Sequence, residues 1–177
     1  MTKNQESSIS DTNGGCGCLL LLICIGVMGA IALRSFLDSR DSYRRAKQTE
    51  ARHYVNSMNH AQQAYYAKKS VFSTSVDALG ISIETDTTNY KYSVSTTKKA
   101  AFSYVVPKDK SLRGYVGGFF LVPAKGVEPN AAKHEILTTQ SIICEADSPG
   151  TIKPAEPIYK NGEGVCGKGT TRHEMKG

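Results

Sequence analysis

An uninterrupted apolar run from Cys18 to Leu33 constrains this chain more than any other feature in it. Its 16 residues make a helix of about 24 Å, against a bilayer hydrocarbon layer of about 30 Å. Arg34 is long enough to snorkel, and Phe36 and Leu37 add one more turn of apolar surface, so the segment 18–37 reaches roughly 30 Å. The run therefore reads as a transmembrane helix whose lipid-facing or assembly surface is carried by Leu19, Leu22, Ile25, Val27, Ile31 and Leu33. A cleaved secretory signal competes with that reading, since Ala30 and Ala32 offer a small-x-small site, but Lys3 alone is a poor basic n-region. A lipoprotein signal fails because Cys16 and Cys18 precede the apolar run instead of following it.

The flanking residues divide the chain into three parts. Residues 1–17 are polar and short, without core-forming side chains, and are expected to be disordered in water. Residues 18–37 form the transmembrane half of a long helix. Residues 38–177 hold the second half of that helix and one globular head, enough for a single modest domain.

Charge bears on topology. The formal net charge is +6, with the densest cluster (Arg34, Arg40, Arg44, Arg45 and Lys47) directly after the apolar run. Such a cluster beside a membrane segment attracts anionic lipid headgroups, so membrane lipid is the first expected partner. Nucleic acid is a weaker one, because no basic stripe interleaved with aromatics follows. The positive-inside rule alone would leave the head in the cytoplasm. Cys144 and Cys166 argue for export: they flank a Pro/Gly-rich stretch and read as a disulfide, which belongs to an oxidising compartment.

Beyond Leu37 the apolar positions Ala46, Ala51, Tyr54, Val55, Met58, Ala61 and Tyr65 recur at spacings of mainly three and four, the mark of a helix with one buried stripe. Lys47, Glu50, Arg52, Asn56, Asn59 and Gln63 are assigned to the opposite face. The helix is expected to stop near Lys68 and Lys69, and a short capped turn closed by Gly80 follows. From Thr87 the period becomes two: Asn89 to Ser95, Ala101 to Val106, Gly114 to Val122 and Ile136 to Cys144 read as four closely spaced strands. The expected fold class is α+β: one long N-terminal helix packed on a four-stranded antiparallel sheet, with a C-terminal loop tied by the disulfide. The residues after Cys144 are so rich in breakers that they read as loop.

No catalytic constellation stands out. His53 and His60 lack partners at metal-ligand spacing, and Glu145 with Asp147 falls short of a recognisable calcium loop. Gly117-Gly118, inside a strand pattern, reads as a bulge or a place of close packing and not as a phosphate cradle. Catalysis, cofactors, metals and small-molecule substrates are all unexpected.

Several stretches carry a family resemblance. They are Ile31-Ala-Leu-Arg-Ser-Phe-Leu37, Ser57-Met-Asn-His-Ala-Gln-Gln-Ala-Tyr-Tyr66, Thr87-Thr-Asn-Tyr-Lys-Tyr92, Tyr115-Val-Gly-Gly118, and Cys144-Glu-Ala-Asp-Ser-Pro-Gly150 followed by Cys166. In these the chain resembles the type IV pilin-like proteins of cyanobacteria, the pilin-like G and H or general secretion pathway proteins. The resemblance implies a non-enzymatic structural subunit of a pilus or secretion pseudopilus, with other pilin or pseudopilin subunits as partners. It places the chain in the inner membrane as a single-pass protein, its head in the periplasm or at the cell surface. It also implies prepilin cleavage after a glycine and an early glutamate in the mature helix. Counting back from Ile31 puts Thr12 and Gly17 at those positions, and Arg34 replaces the proline that usually kinks the helix. Gly14, Gly15 and Gly17 mark the candidate processing region. Two readings follow: an atypical or minor pilin or pseudopilin, or an uncleaved membrane-anchored relative whose exported head is an interaction or DNA-uptake module.

Overall fold

The computed structural model describes residues 14–123 and 137–173. Ile136 and Glu135 lie outside the described residues, as does most of the segment 1–17. Helix α1 spans Gly14–Lys69. Strands β1 (Tyr90–Thr96), β2 (Ala100–Pro107), β3 (Tyr115–Pro123) and β4 (Leu137–Ala146) follow, then three short ones: β5 (Ile158–Lys160), β6 (Glu163–Val165) and β7 (Thr170–Arg172). The chain divides into two compact units, Met1–Tyr43 and Arg44–Gly177.

In the second unit, α1 ends where expected, with Lys68 and Lys69 in its last turn. Ser70 leaves it in the left-handed region (φ 56°) and donates its N–H to Tyr66 O at 2.8 Å. The turn closed by Gly80 is a single 3₁₀ turn, Asp77–Leu79, with Gly80 at φ 69°. The sheet is antiparallel in the order β1-β2-β3-β4-β7, with β5 and β6 forming a separate hairpin. The expected four strands are therefore five. Strand β7 adds to the outer edge of β4, pairing Cys144 with Arg172 and Ala146 with Thr170. The stretch after Cys144, expected to be loop throughout, contains the β5–β6 hairpin. Its turn is Asn161-Gly162, both at positive φ, the conformation that lets two strands reverse within two residues.

Both faces of the sheet are covered, and the register shows how. Tyr92, Val105, Tyr115 and Ile143 point towards α1 and enclose Ala51, Val55 and Met58, which are fully buried. Burying Val55 and Met58 stabilises this seat by about 3 to 6 kcal/mol. Towards the end of the helix, Tyr66 packs on Phe72 (4.7 Å between ring centroids) and Phe72 on Phe119 (5.8 Å). The opposite face carries Phe102, Tyr104, Val116, Phe120, Ile142 and Cys144, closed over by Tyr159 and Cys166 from the C-terminal stretch. The disulfide joins Cys144 of β4 to Cys166, just past β6, with Cα atoms 5.7 Å apart. It fastens this cover to the central sheet, and by closing a 22-residue separation it contributes about 3 kcal/mol.

Gly117 and Gly118 serve the two covers separately. A Cβ on Gly117 would stand 2.6 Å from Asn59 Nδ2, and one on Gly118 would stand 2.6 Å from Pro157 Cγ. The first glycine admits the helix and the second admits the loop. Pairing runs unbroken through both, Gly117 opposite Ser103 and Ile143, so close packing is the role and there is no bulge.

Candidate functional site

In the first unit the helical residues Leu22, Ile23, Ile25, Val27, Met28, Ile31, Leu33, Phe36 and Leu37 are between 53% and 71% exposed. At 100° per residue they surround the helix on every side, so the surface suits lipid or a helical bundle and not a one-sided seat on a sheet. This is the one described helix long and apolar enough to cross a membrane. Of the residues assigned to the anchoring surface, Leu22, Ile25, Val27, Ile31 and Leu33 are thus placed on an open apolar cylinder. Leu19 lies in α1, its side chain outside the described residues. Gly14, Gly15 and Gly17 lie within α1 as well. Cys24 is a free, exposed thiol in the same stretch.

Polar residues follow within a turn. Arg40 lies over the Phe36 ring, 5.9 Å from its centroid, and Lys47 pairs with Glu50 at 3.7 Å. Arg34, Arg40 and Arg45 are exposed, as a headgroup-facing cluster requires.

Within the second unit the quoted stretches prove to be the joints of the fold. In Ser57–Tyr66, Met58 is core, Asn59 lies over Gly117 and donates Nδ2–H to Ile142 O at 3.3 Å, and Gln62 is fully buried. Gln62 donates to Ser73 O at 2.8 Å and accepts from Ser73 N at 3.0 Å, pairing with a backbone amide as a neighbouring strand would. Asn59, assigned by its spacing to the solvent face, is buried because Gly117 leaves room for its amide. Ala46, assigned to the buried stripe, is exposed, because this seat begins at Ala51. In Thr87–Tyr92, the Thr87 hydroxyl closes a turn on Tyr90, while Tyr90 and Tyr92 enter the core. Burial holds the hydroxyls of Tyr90, Tyr92, Tyr104 and Tyr115 protonated well above the usual phenol range.

One polar network remains at the α1–β4–β7 corner. Arg52 Nη1 donates to His173 Nε2 at 3.2 Å, His173 Nδ1 lies 3.5 Å from Glu145 Oε2, and Arg113 Nε lies 3.6 Å from Glu145 Oε1. Arg113, Glu145 and His173, with Asp147, Thr171 and Arg172, line a shallow recess of about 430 Å³. Glu145 is engaged by Arg113 and His173, and Asp147 accepts from the Thr171 hydroxyl at 2.6 Å. Among the described residues no cluster of three or more His, Cys, Asp or Glu is placed to hold a metal ion. The sequence reading missed this corner because its members are up to 121 residues apart.

An open apolar helix continuing into a helix seated on an antiparallel sheet, with a disulfide in the C-terminal region, defines the pilin-like architecture. Residues 48–167, more than half of the chain, match the family model for type IV pilin-like G and H, and the chain belongs to that family. No curated protein and no solved structure matches it.

Proposed function

We propose that the chain is a structural subunit, an atypical or minor type IV pilin or pseudopilin of a pilus or secretion apparatus. Its segment 18–37 lies in the inner membrane, and its head, 38–177, stands in the periplasm or at the cell surface. The observation that carries this reading is the apolar surface of α1 from Leu22 to Leu37, exposed on all sides and matched only by lipid or by like helices. Membership of the pilin-like family supports other pilin subunits as partners. The Cys144–Cys166 disulfide supports export over the orientation favoured by the basic cluster. The cyanobacterial affinity rests on the quoted stretches alone.

A second reading, the uncleaved anchor whose exported head is an interaction or DNA-uptake module, is favoured by Thr12 and Gly17, which stand where the resemblance would place the cleavage glycine and the early glutamate. The two readings differ at the mature N-terminus. Sequencing the first residues of protein recovered from membranes separates them: a start between Gly15 and Cys18 establishes processing, and a start at Met1 or Thr2 rejects it. A DNA-binding head rests on net charge only, and retention on DNA that does not weaken steeply with salt would dismiss it.

A further inference from the structure

Helix α1 closes with Lys68-Lys69, and the turn between β1 and β2 carries Lys98-Lys99; all four lysines are exposed. A recess of about 400 Å³ joins the two pairs, lined from the helix side by Ser70, Val71 and Phe72 and from the turn side by Thr96, Thr97 and Lys98. No carboxylate lines it, and among the described residues none of the four lysines makes an ion pair. We propose that this recess binds an acidic polysaccharide, the lysines meeting the polymer's anionic groups and the recess receiving a sugar ring. Such binding needs no assembly of copies, so it goes beyond the subunit role.

Charge selects the class of partner. Two adjacent pairs of like charge repel, and a polyanion laid across them removes that repulsion as it binds. Lys68 and Lys69 also answer the negative end of the helix dipole, but Lys98 and Lys99 lie on a strand-to-strand turn and have no such task. The cations at the α1–β4–β7 corner differ, since Arg113 and His173 already face Glu145. Both sides of the recess are fixed in advance. Tyr66 packs on Phe72 and Phe72 on Phe119, which holds the exit from the helix. Thr97 Oγ1 accepts from Lys99 N at 3.3 Å and Ala100 N at 2.9 Å, which holds the turn. The lining favours a sugar over a nucleic-acid base. Phe72 is buried and Tyr66 is half-buried against it, so the aromatic rings serve the core and not a stack of bases. What the recess offers is Val71, 58% exposed, beside Ser70 and Thr96, whose hydroxyls have no partner among the described residues. A small apolar surface flanked by hydroxyls matches the C–H face and the hydroxyl groups of a pyranose. Lysine, a compact charge on a flexible stem, suits anionic groups repeated along a mobile polymer.

The full chain, held in phosphatidylcholine nanodiscs, is titrated against fluorescent decagalacturonate, uncharged maltodecaose and decathymidylate, with anisotropy as the readout. Decagalacturonate is expected to bind, more weakly as salt rises, and maltodecaose is not. Lys68→Gln/Lys69→Gln/Lys98→Gln/Lys99→Gln should weaken binding at least tenfold. Lys98→Gln/Lys99→Gln alone, confined to the exposed turn, should weaken it in the same direction and stands in if the fourfold variant unfolds earlier in urea. Ser70→Gly/Thr96→Val keeps every charge and suits the left-handed backbone at position 70; it should weaken binding about threefold. Lys110→Gln/Lys160→Gln/Lys168→Gln, which removes exposed lysines elsewhere, should leave binding within twofold of wild type. No binding of decagalacturonate, or equal losses in the recess and the distant lysine variants, overturns the inference. Unchanged binding in Ser70→Gly/Thr96→Val also overturns it, reducing the recess to a nonspecific basic patch. Decathymidylate bound more tightly than decagalacturonate, and lost with the same four lysines, overturns it in favour of single-stranded nucleic acid.

Discussion

Replacing Gly117 with Ala tests the helix-to-sheet seat at its tightest point. The new Cβ would stand 2.6 Å from Asn59 Nδ2 and 2.7 Å from Asn59 Cγ, against about 3.5 Å for an ordinary contact. Asn59 cannot simply swing aside, because its Nδ2 is bonded to Ile142 O and the residue is 3% exposed. Overpacking of this size costs about 1 to 3 kcal/mol, and a broken buried hydrogen bond adds about 1 to 2, so a loss of about 2 to 5 kcal/mol is expected. Asn59→Ala alone should cost about 1 to 2 kcal/mol. In the double variant the added methyl occupies space the amide has left, so the combined loss should fall short of the sum by at least about 1 kcal/mol. Urea unfolding of the full chain in detergent, followed by tyrosine fluorescence, measures all three. A Gly117→Ala variant within about 0.5 kcal/mol of wild type, or strict additivity in the double variant, would refute the reasoning.

Gln62→Leu should destabilise the same unit by about 2 to 3 kcal/mol, because it strands both backbone groups of Ser73 in a buried site; the denaturation midpoint reports it. Cys144→Ser should cost about 3 kcal/mol under oxidising conditions and almost nothing against a reduced control, read as melting temperature with and without dithiothreitol. Alkaline pH should unfold the chain: the unfolded state releases tyrosine protons near pH 10 while Tyr90, Tyr92, Tyr104 and Tyr115 retain theirs, so stability is intact below that pH and lost above it. The slope is about 1.4 kcal/mol per pH unit for each such tyrosine, and a pH titration of the urea midpoint that stays flat from pH 9 to 11.5 would contradict it.

The long helix, the first four strands and the disulfide were legible because each repeats a local pattern or closes on a distinctive residue pair. Gln62 was not, since its partner Ser73 shows up in no hydropathy period, and a buried amide looks on paper like a solvent-facing one. Strand β7, Thr170–Arg172, is too short to display alternation. The covered second face had two signals that went unused. The continuous apolar run from Val116 to Val122, interrupted only by glycines, marks a strand buried on both sides rather than on one. Asn161-Gly162, counted among the breakers, is itself a hairpin signature. The corner of Arg52, Arg113, Glu145 and His173 is assembled from four distant segments, so nothing local announces it.

On the proposed function, the chain is held in a bilayer by 18–37 and carries its folded sheet outside the cytoplasm. Alkaline phosphatase and a fluorescent protein, each fused to the C-terminus of the full chain, test this in carbonate-washed membranes. The expected result is active phosphatase and a dark fluorescent fusion, both in the membrane pellet. A bright fluorescent fusion with inactive phosphatase, or either fusion in the supernatant, would contradict it.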